Sequence, residues 1–157
     1  MNCDFSVDQK CVISTTLEGV INALDISTQK MAVSFDTIAE MNSDGKANVN
    51  SNIIFCVKSL KNHPDGGNKF AIGAEMKFMV VCDADVSRPE EVRLQTYGKY
   101  KGHYSSVRHI EVSDDYKYML SSSEDHSIFL WNNETLKPDH ILAGHTDLCV
   151  SISQGCL

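Results

Sequence analysis

The chain has 157 residues, of which 42% are hydrophobic, 22% charged and 8% aromatic. These fractions are ordinary for a folded chain, and they exclude wholesale disorder and collagen-like or low-complexity character. The 21 acidic and 14 basic residues give a net charge of −7. This balance argues against a nucleic-acid partner and against an acidic membrane surface, because both attract clustered basic charge.

No segment of the sequence resembles a membrane span or an export signal. The longest apolar run, near Phe78–Cys82, is far shorter than the ~20 residues that a spanning helix needs. The first residues, Met-Asn-Cys-Asp-Phe-Ser, lack a charged region followed by an apolar core. We therefore expect a cytoplasmic (intracellular) protein with no membrane partner.

Six cysteines lie at positions 3, 11, 56, 82, 149 and 156, most of them in apolar runs. No Cys-x-x-Cys pair occurs, and Cys149 and Cys156 are too widely spaced for a zinc knuckle. The pattern predicts buried free thiols in a reducing compartment. It predicts no metal ion and no cofactor.

Short runs of apolar and β-branched residues, separated by Gly, Asp, Asn and Ser, predict an all-β chain. A short strand is expected at Cys3–Ser6 and a last one at Leu148–Ser153. Polar segments at Asp36–Asn52 and Asp83–Glu91 predict loops, and Asn62–Gly67 predicts a tight turn. In chain order, the other predicted strands are Lys10–Thr15, Val20–Asp25, Met31–Phe35, Ile53–Leu60, Lys69–Gly73, Phe78–Cys82, Val92–Thr96, Val107–Val112, Tyr118–Ser122, Ile128–Trp131 and His140–Leu142.

The chain also contains an internal repeat. Residues 112–132 align with residues 5–25 without a gap, so that Ser113, Asp115 and Ile128 match Ser6, Asp8 and Ile21. A third, more divergent copy lies at 53–83. Two Gly-His pairs, at 102 and 144, are 42 residues apart, which fits a repeat of ~40–45 residues.

Residues 102–146 resemble one full WD repeat, and residues 3–35 and 53–101 resemble degenerate copies of it. The resemblance implies an all-β fold, a partial β-propeller of about three four-stranded antiparallel blades. It further implies degenerate blades at 1–35, with a truncated first strand, and at 53–101, a polar loop at 36–52, a WD blade at 102–143, and the start of a further, truncated blade at 144–157. The matching positions are Gly102-His103, Val107, Ile110, Ser113-Asp114-Asp115, Leu120-Ser121-Ser122-Ser123, Asp125, Ile128, Leu130-Trp131-Asn132 and Gly144-His145.

Blades of this family carry a buried hydrogen-bond relay, which the resemblance transfers to Trp131, Ser121, His103 and Asp125, with Ser123 as the alternative to Ser121. A buried indole N–H needs an acceptor, and a buried imidazole needs both nitrogens satisfied. A Ser-His-Asp set also suggests a hydrolase triad. The blade accounts for its spacing, so we predict a structural role and no catalytic residue.

The function that these patterns favour is a non-catalytic protein–protein interaction scaffold that binds through its loops. No Gly-x-Ser-x-Gly, phosphate loop or His-Glu-x-x-His motif favours an enzyme. The alternative is a microtubule- or cytoskeleton-associated protein, because Ala71-Ile72-Gly73, Gly98–Ser106 and Tyr118–Ser123 resemble the echinoderm microtubule-associated-protein-like group.

About three blades are fewer than the ~4 of the smallest closed propellers. We therefore expect a fragment of a larger propeller. Its open blade ends are expected to self-associate or to bind a capping partner.

Overall fold

A computed structural model describes residues 2–36, 53–75, 78–83 and 95–153. The two predicted loops, 36–52 and 83–91, fall almost entirely outside these ranges, as does Cys156. Within the described part, all regular structure is β-strand. The all-β prediction is therefore confirmed.

Within the described ranges, twelve strands form three antiparallel sheets of four, and each sheet is a simple meander in chain order. Most of the described turns are short because Gly, Asp, Asn and Ser accept the required backbone angles. The first sheet contains β1 (Cys3–Phe5), β2 (Cys11–Thr15), β3 (Val20–Asp25) and β4 (Met31–Asp36); the second β5 (Ile54–Ser59), β6 (Lys69–Ala74), β7 (Phe78–Asp83) and β8 (Gln95–Lys101); the third β9 (Val107–Val112), β10 (Tyr118–Ser123), β11 (Ser127–Asn132) and β12 (Lys137–Ala143).

The sheets stack side by side as propeller blades do. β5 packs against β1 and β2 on one side and against β9 on the other. The first strand of each sheet therefore lies beside the first strand of its neighbour. This arrangement is a partial, open propeller of three blades.

Two hydrophobic cores lie between the sheets rather than within them. The middle sheet contributes to both, and all six residues of β6 are buried. The core between the first and middle sheets includes Ile13, Ile21, Phe70 and Val80. The core between the middle and third sheets includes Leu60, Met79, Tyr100, Met119 and Trp131. A blade buries its faces only against other blades, as the sequence predicted from the repeat.

Gly73 lies where the middle and third sheets approach closely. A Cβ atom added there would lie 2.5 Å from Cys56 Sγ and 2.9 Å from a methyl group of Val107. The position therefore excludes any side chain, although no turn requires it. The sequence analysis noted Gly73 only as part of a family resemblance.

The gapless repeat alignment is visible in the backbone. Gln9 and Tyr116, 107 residues apart, have φ values of 59° and 60°, and Gln29 and Leu136, with the same separation, have 56° and 57°. In the first of these turns, the Asp8 carboxylate accepts the Lys10 amide at 3.1 Å. Asp115 accepts the Lys117 amide at the same distance. The first and third sheets are thus two copies of one unit.

Two strand predictions differ from the structure. The strand expected at Val92–Thr96 overlaps β8, which continues to Lys101 because Tyr100 pairs with Met79 and is fully buried; residues 92–94 lie outside the described ranges. Leu148–Ser153 belongs to no sheet. The amide of Cys149 donates to the Ser123 carbonyl at 3.1 Å, but no ladder of backbone hydrogen bonds flanks the segment in the described structure.

Among the described cysteines, all are free thiols. Cys11, Cys56, Cys82 and Cys149 are buried, as expected from their apolar surroundings, whereas Cys3 is exposed on the short strand β1. Burial raises the pKa of the Cys56 thiol to about 12. That thiol therefore stays protonated and unreactive near neutral pH.

Candidate functional site

The four residues of the expected relay lie in one continuous chain of hydrogen bonds. Trp131 Nε1 donates to Ser121 Oγ at 2.7 Å. The Ser121 hydroxyl lies 2.6 Å from His103 Nε2, and His103 Nδ1 lies 2.8 Å from Asp125 Oδ2. Because the indole is only a donor, Ser121 uses its own proton on Nε2, and the His103 proton is then on Nδ1, facing the carboxylate.

The four side chains of the relay come from different elements of the third blade. Ser121 and Trp131 lie on the paired strands β10 and β11, His103 lies in the segment before β9, and Asp125 lies in the β10–β11 turn. Asp125 also accepts the amide of Tyr104 at 2.9 Å. The carboxylate therefore ties the segment before β9 to the turn above it. Ser123 is not part of the chain; its hydroxyl accepts the amide of Asp125 at 3.2 Å.

Burial sets the charge state of the His103–Asp125 pair. Burial lowers the pKa of His103 below its usual 6.5, despite the opposing effect of Asp125. Burial alone would raise the pKa of Asp125, but hydrogen bonds from Ser127, the Tyr104 amide and His103 lower it overall. A neutral imidazole therefore faces an ionised carboxylate. Ser121 is fully buried, so its hydroxyl is out of reach of any substrate.

The depressed pKa of His103 predicts a pH dependence of stability. Below pH 6.5 this histidine is protonated in the unfolded chain, whereas in the folded chain its lower pKa keeps it neutral until the pH falls further. The contribution of His103 to the free energy of unfolding is therefore expected to be fully present above pH 6.5 and to be lost as the pH falls below 6.5, so that stability is lower at pH 5.5 than at pH 7.5. Urea unfolding at both pH values measures this change. A His103→Gln variant should show a smaller pH difference than a variant at the exposed His140; equal differences in the two variants would contradict the assignment.

Gly102, which precedes the histidine, lies against aromatic rings. A Cβ atom there would lie 2.7 Å from Phe129 Cε2 and 3.0 Å from Trp131 Cη2. Both rings lie in the packed core and have little room to move. Gly102→Ala is expected to lower the free energy of unfolding by ~1–3 kcal/mol, the usual cost of overpacking. Chemical denaturation measures the change, and a loss below ~0.5 kcal/mol would contradict close packing at this position.

A groove on the protein surface lies at the opposite end of these strands. It is bounded by the β5–β6 turn of the middle sheet and by the β9–β10 and β11–β12 turns of the third. Two adjoining clefts of about 240 and 360 Å³ form it and share Pro64, Tyr116 and Asn133. We call it the loop-end groove. Its other principal residues are His63, Asp65 and Glu134.

The floor of the groove is a satisfied polar network. Tyr100 donates its hydroxyl to Asn133 Oδ1 at 3.1 Å, and Asn133 Nδ2 donates to the Tyr116 carbonyl at 2.8 Å. Burial raises the pKa of both tyrosines, and the charge of Asp65 adds to the shift of Tyr116. Asn62 Nδ2 donates to the Asp114 carbonyl at 2.7 Å. The turns on both sides of the groove are therefore held together across the blade boundary.

Sequence analysis did not identify this groove. The sequence predicted only a tight turn at Asn62–Gly67, whereas the His63 side chain in that turn is 12% exposed and packs on Tyr116, with the ring centroids 4.6 Å apart. The sequence feature that could have pointed to the groove is a pair of turns at equivalent positions of two repeats, Pro64-Asp65-Gly66 and Asp114-Asp115-Tyr116. Their proximity depends on the stacking of two blades, which no local pattern reports.

Among the described residues, no group of His, Cys, Asp or Glu is placed to hold a metal ion. No helix of sufficient length and hydropathy to cross a membrane occurs in the described ranges.

The stacked four-stranded meanders define a class of fold, the partial β-propeller, whose third blade carries the buried Trp-Ser-His-Asp network. Residues 94–132 match the family model described as "WD domain, G-beta repeat". This stretch of the chain is a WD repeat. No curated protein matches the chain in sequence.

Solved structures with the same fold include WD40 propellers. A chain of the mitotic checkpoint complex superposes with a TM-score of 0.68 at 14% identity, covering 93% of this chain and 37% of that one. U3-55K gives a TM-score of 0.69 at 18% identity, and the WD40 repeats of RRP9 give 0.69 at 17%; each match covers 93% of this chain and 39% of the other. The chain thus spans well under half the length of these propellers.

Proposed function

We propose that the chain is a non-catalytic scaffold that binds other proteins through its loops, and that the loop-end groove is the binding site. The observation that carries the proposal is the groove itself, whose walls come from two blades held together by the Asn62–Asp114 hydrogen bond. A rigid sheet framework that presents exposed turns is typical of protein-binding surfaces. WD40 propellers with the same fold occur in protein assemblies, the mitotic checkpoint complex among them.

The non-catalytic part of the proposal rests on how the reactive side chains are used. In the Ser-His-Asp set, the serine hydroxyl accepts a hydrogen bond from Trp131, and the serine and histidine are buried. The floor of the groove is hydrogen-bonded internally through Tyr100 and Asn133. Neither arrangement offers an accessible nucleophile with a general base beside it.

Blocking the groove tests the proposal. Pro64 is exposed and lines both clefts, so Pro64→Trp places a large side chain in the part that they share. Pro138→Trp, on the exposed strand β12, is the matched control. Proteins captured from a cell lysate by the wild-type chain should be lost with Pro64→Trp and kept with Pro138→Trp. Identical capture by all three chains would refute the groove as a binding site.

The microtubule-associated alternative is tested with the same variants. Co-sedimentation with microtubules that depends on Pro64 would identify tubulin as the partner class. Absence of the wild-type chain from the pellet would exclude this alternative and leave the general scaffold.

We also propose that the outward faces of the first and third sheets bind a second copy or a capping chain. On these two sheets, the edge strands β1, β4 and β12 carry Phe5, Met31, Ile141 and Leu142, which are 53–59% exposed. Exposed apolar side chains on sheets without a neighbour favour association. Size-exclusion chromatography with light scattering should detect oligomers that dissociate on dilution, and a cooperatively folding monomer at high concentration would contradict the proposal.

A further inference from the structure

We infer that the loop-end groove recognises a peptide segment through a lysine or arginine side chain, with Asp65 and Glu134 as its acidic partners. This inference rests on the proposed function, because it assigns a partner chemistry to the same groove.

The charges along the groove favour a cation. Its lining carries three acidic side chains, Asp65, Asp115 and Glu134, and one lysine, Lys117. His63 also lines it, with Nδ1 at 3.8 Å from Asp65 Oδ2. Lys117 Nζ forms an ion pair with Asp115 at 3.1 Å, which cancels those two charges. Within the described ranges, no Lys or Arg lies within ion-pair distance of Asp65 or Glu134. Two negative charges therefore remain at the rim, on a chain whose net charge is −7.

The field of Asp65 reaches into the groove. Tyr116 lies at its floor, and its pKa is raised, first by burial and further by the charge of Asp65. The Asp65 side chain is itself 67% exposed, so an incoming cation can approach it from solvent. The same carboxylate would repel an acidic peptide.

The shape and polarity of the walls fit a long basic side chain. Pro64, Val81 and Leu136 line the narrower cleft, beside the ring of Tyr116. Lys and Arg combine an aliphatic stem, which packs on apolar walls, with a charged head that stays at a polar edge. Tyr118, 40% exposed, lines the wider cleft and offers a ring face to a cation.

The floor of the groove does not require a polar ligand. Asn133 uses its amide oxygen on Tyr100 and its amide nitrogen on the Tyr116 carbonyl. Recognition by neutral hydrogen bonding to this residue would have to break existing bonds. The carboxylates of Asp65 and Glu134 at the rim are therefore the groups that can attract a ligand. Electrostatic steering by them would speed the association of a basic partner.

Selection from a phage library of random 12-residue peptides tests the inference. The first bait is the wild-type chain, the test bait is the double variant Asp65→Asn, Glu134→Gln, and Pro64→Trp is the blocked bait. The control bait, Glu18→Gln with Asp139→Asn, loses the same charge at exposed positions outside the groove. Unlike the blocking variant, the test bait keeps the shape of the groove.

Wild-type and control baits should enrich peptides with a Lys or Arg at one preferred position, and the test bait should lose this preference. Labelled peptides from the selection should bind the test variant about tenfold more weakly than the control. Their affinity for the wild-type chain should fall as NaCl rises from about 50 to 300 mM, because surface charges are screened.

The outcomes separate the two proposals. Peptides that bind in a Pro64-dependent way without a basic residue, or that bind the test variant unchanged, would overturn the cation assignment and leave the scaffold. If no binding depends on Pro64, either in this selection or in lysate capture, both proposals fail.

Discussion

Replacing Trp131 by alanine is expected to lower the free energy of unfolding by ~3–5 kcal/mol, the usual cost of removing a buried aromatic side chain. Trp131 is fully buried between the middle and third sheets. Its ring contacts Tyr100 and Phe129, with ring centroids at 5.6 and 5.1 Å. The truncation therefore leaves a cavity at the blade boundary and removes the donor to Ser121.

Thermal unfolding measures this loss, which corresponds to a fall in Tm of roughly 10 °C for a domain of this size. Tyr104 provides the matched control, because it is an aromatic residue that is 81% exposed. Tyr104→Ala should change stability by at most ~0.5 kcal/mol, as is usual at the surface. A loss below ~1 kcal/mol for Trp131→Ala would contradict the close packing of the two blades.

Two adjacent serines on β10 are expected to respond in opposite ways to alanine. Ser121 accepts from Trp131 and hydrogen-bonds His103, so Ser121→Ala leaves two buried groups unpaired. Each unpaired group costs ~1–3 kcal/mol, and we expect a total loss of about 2–4 kcal/mol. Ser122 is equally buried, but its hydroxyl has no hydrogen-bond partner in the described structure. Ser122→Ala should therefore be neutral or stabilising.

Urea unfolding of both variants at pH 7.5 measures the contrast. The substitutions delete the same atom from neighbouring residues of one strand, so propensity and volume cancel between them. Equal losses in the two variants would contradict the hydrogen-bond network as the source of the Ser121 effect. A double-mutant cycle with Trp131→Phe would then isolate the Trp131–Ser121 coupling.

Much of the fold was predictable because the information is local. Strands alternate apolar and polar residues, and the turns use Asp, Asn, Ser and Gly, so their positions follow from neighbouring residues. The bounds of β3 and β9 match the predicted ranges. The end of β8 was missed because Gly98 and Gly102 interrupt its pattern, whereas the strand is held by pairing with β7.

The relay residues were named from the sequence because its resemblance to a WD repeat implies them. The structure places Trp131, Ser121, His103 and Asp125 within hydrogen-bonding reach of one another in that order. The sequence favoured Ser121 with Ser123 as the alternative, and the hydrogen bonds place Ser121 in the chain. Its hydroxyl is within hydrogen-bonding distance of Trp131 Nε1 and His103 Nε2, whereas the hydroxyl of Ser123 accepts the amide of Asp125.

The sequence by itself determined the all-β class and the approximate number of blades, because both depend on the periodicity of the chain, and its resemblance to a WD repeat implied the residues of the buried network. Only the tertiary structure decided how blades meet. The Gly73 contact with Val107, the Tyr100–Asn133 hydrogen bond and the loop-end groove each join residues more than 30 positions apart. Such contacts arise because a blade buries its faces only against its neighbours, and no pattern within one repeat encodes which residues of the next blade it will meet.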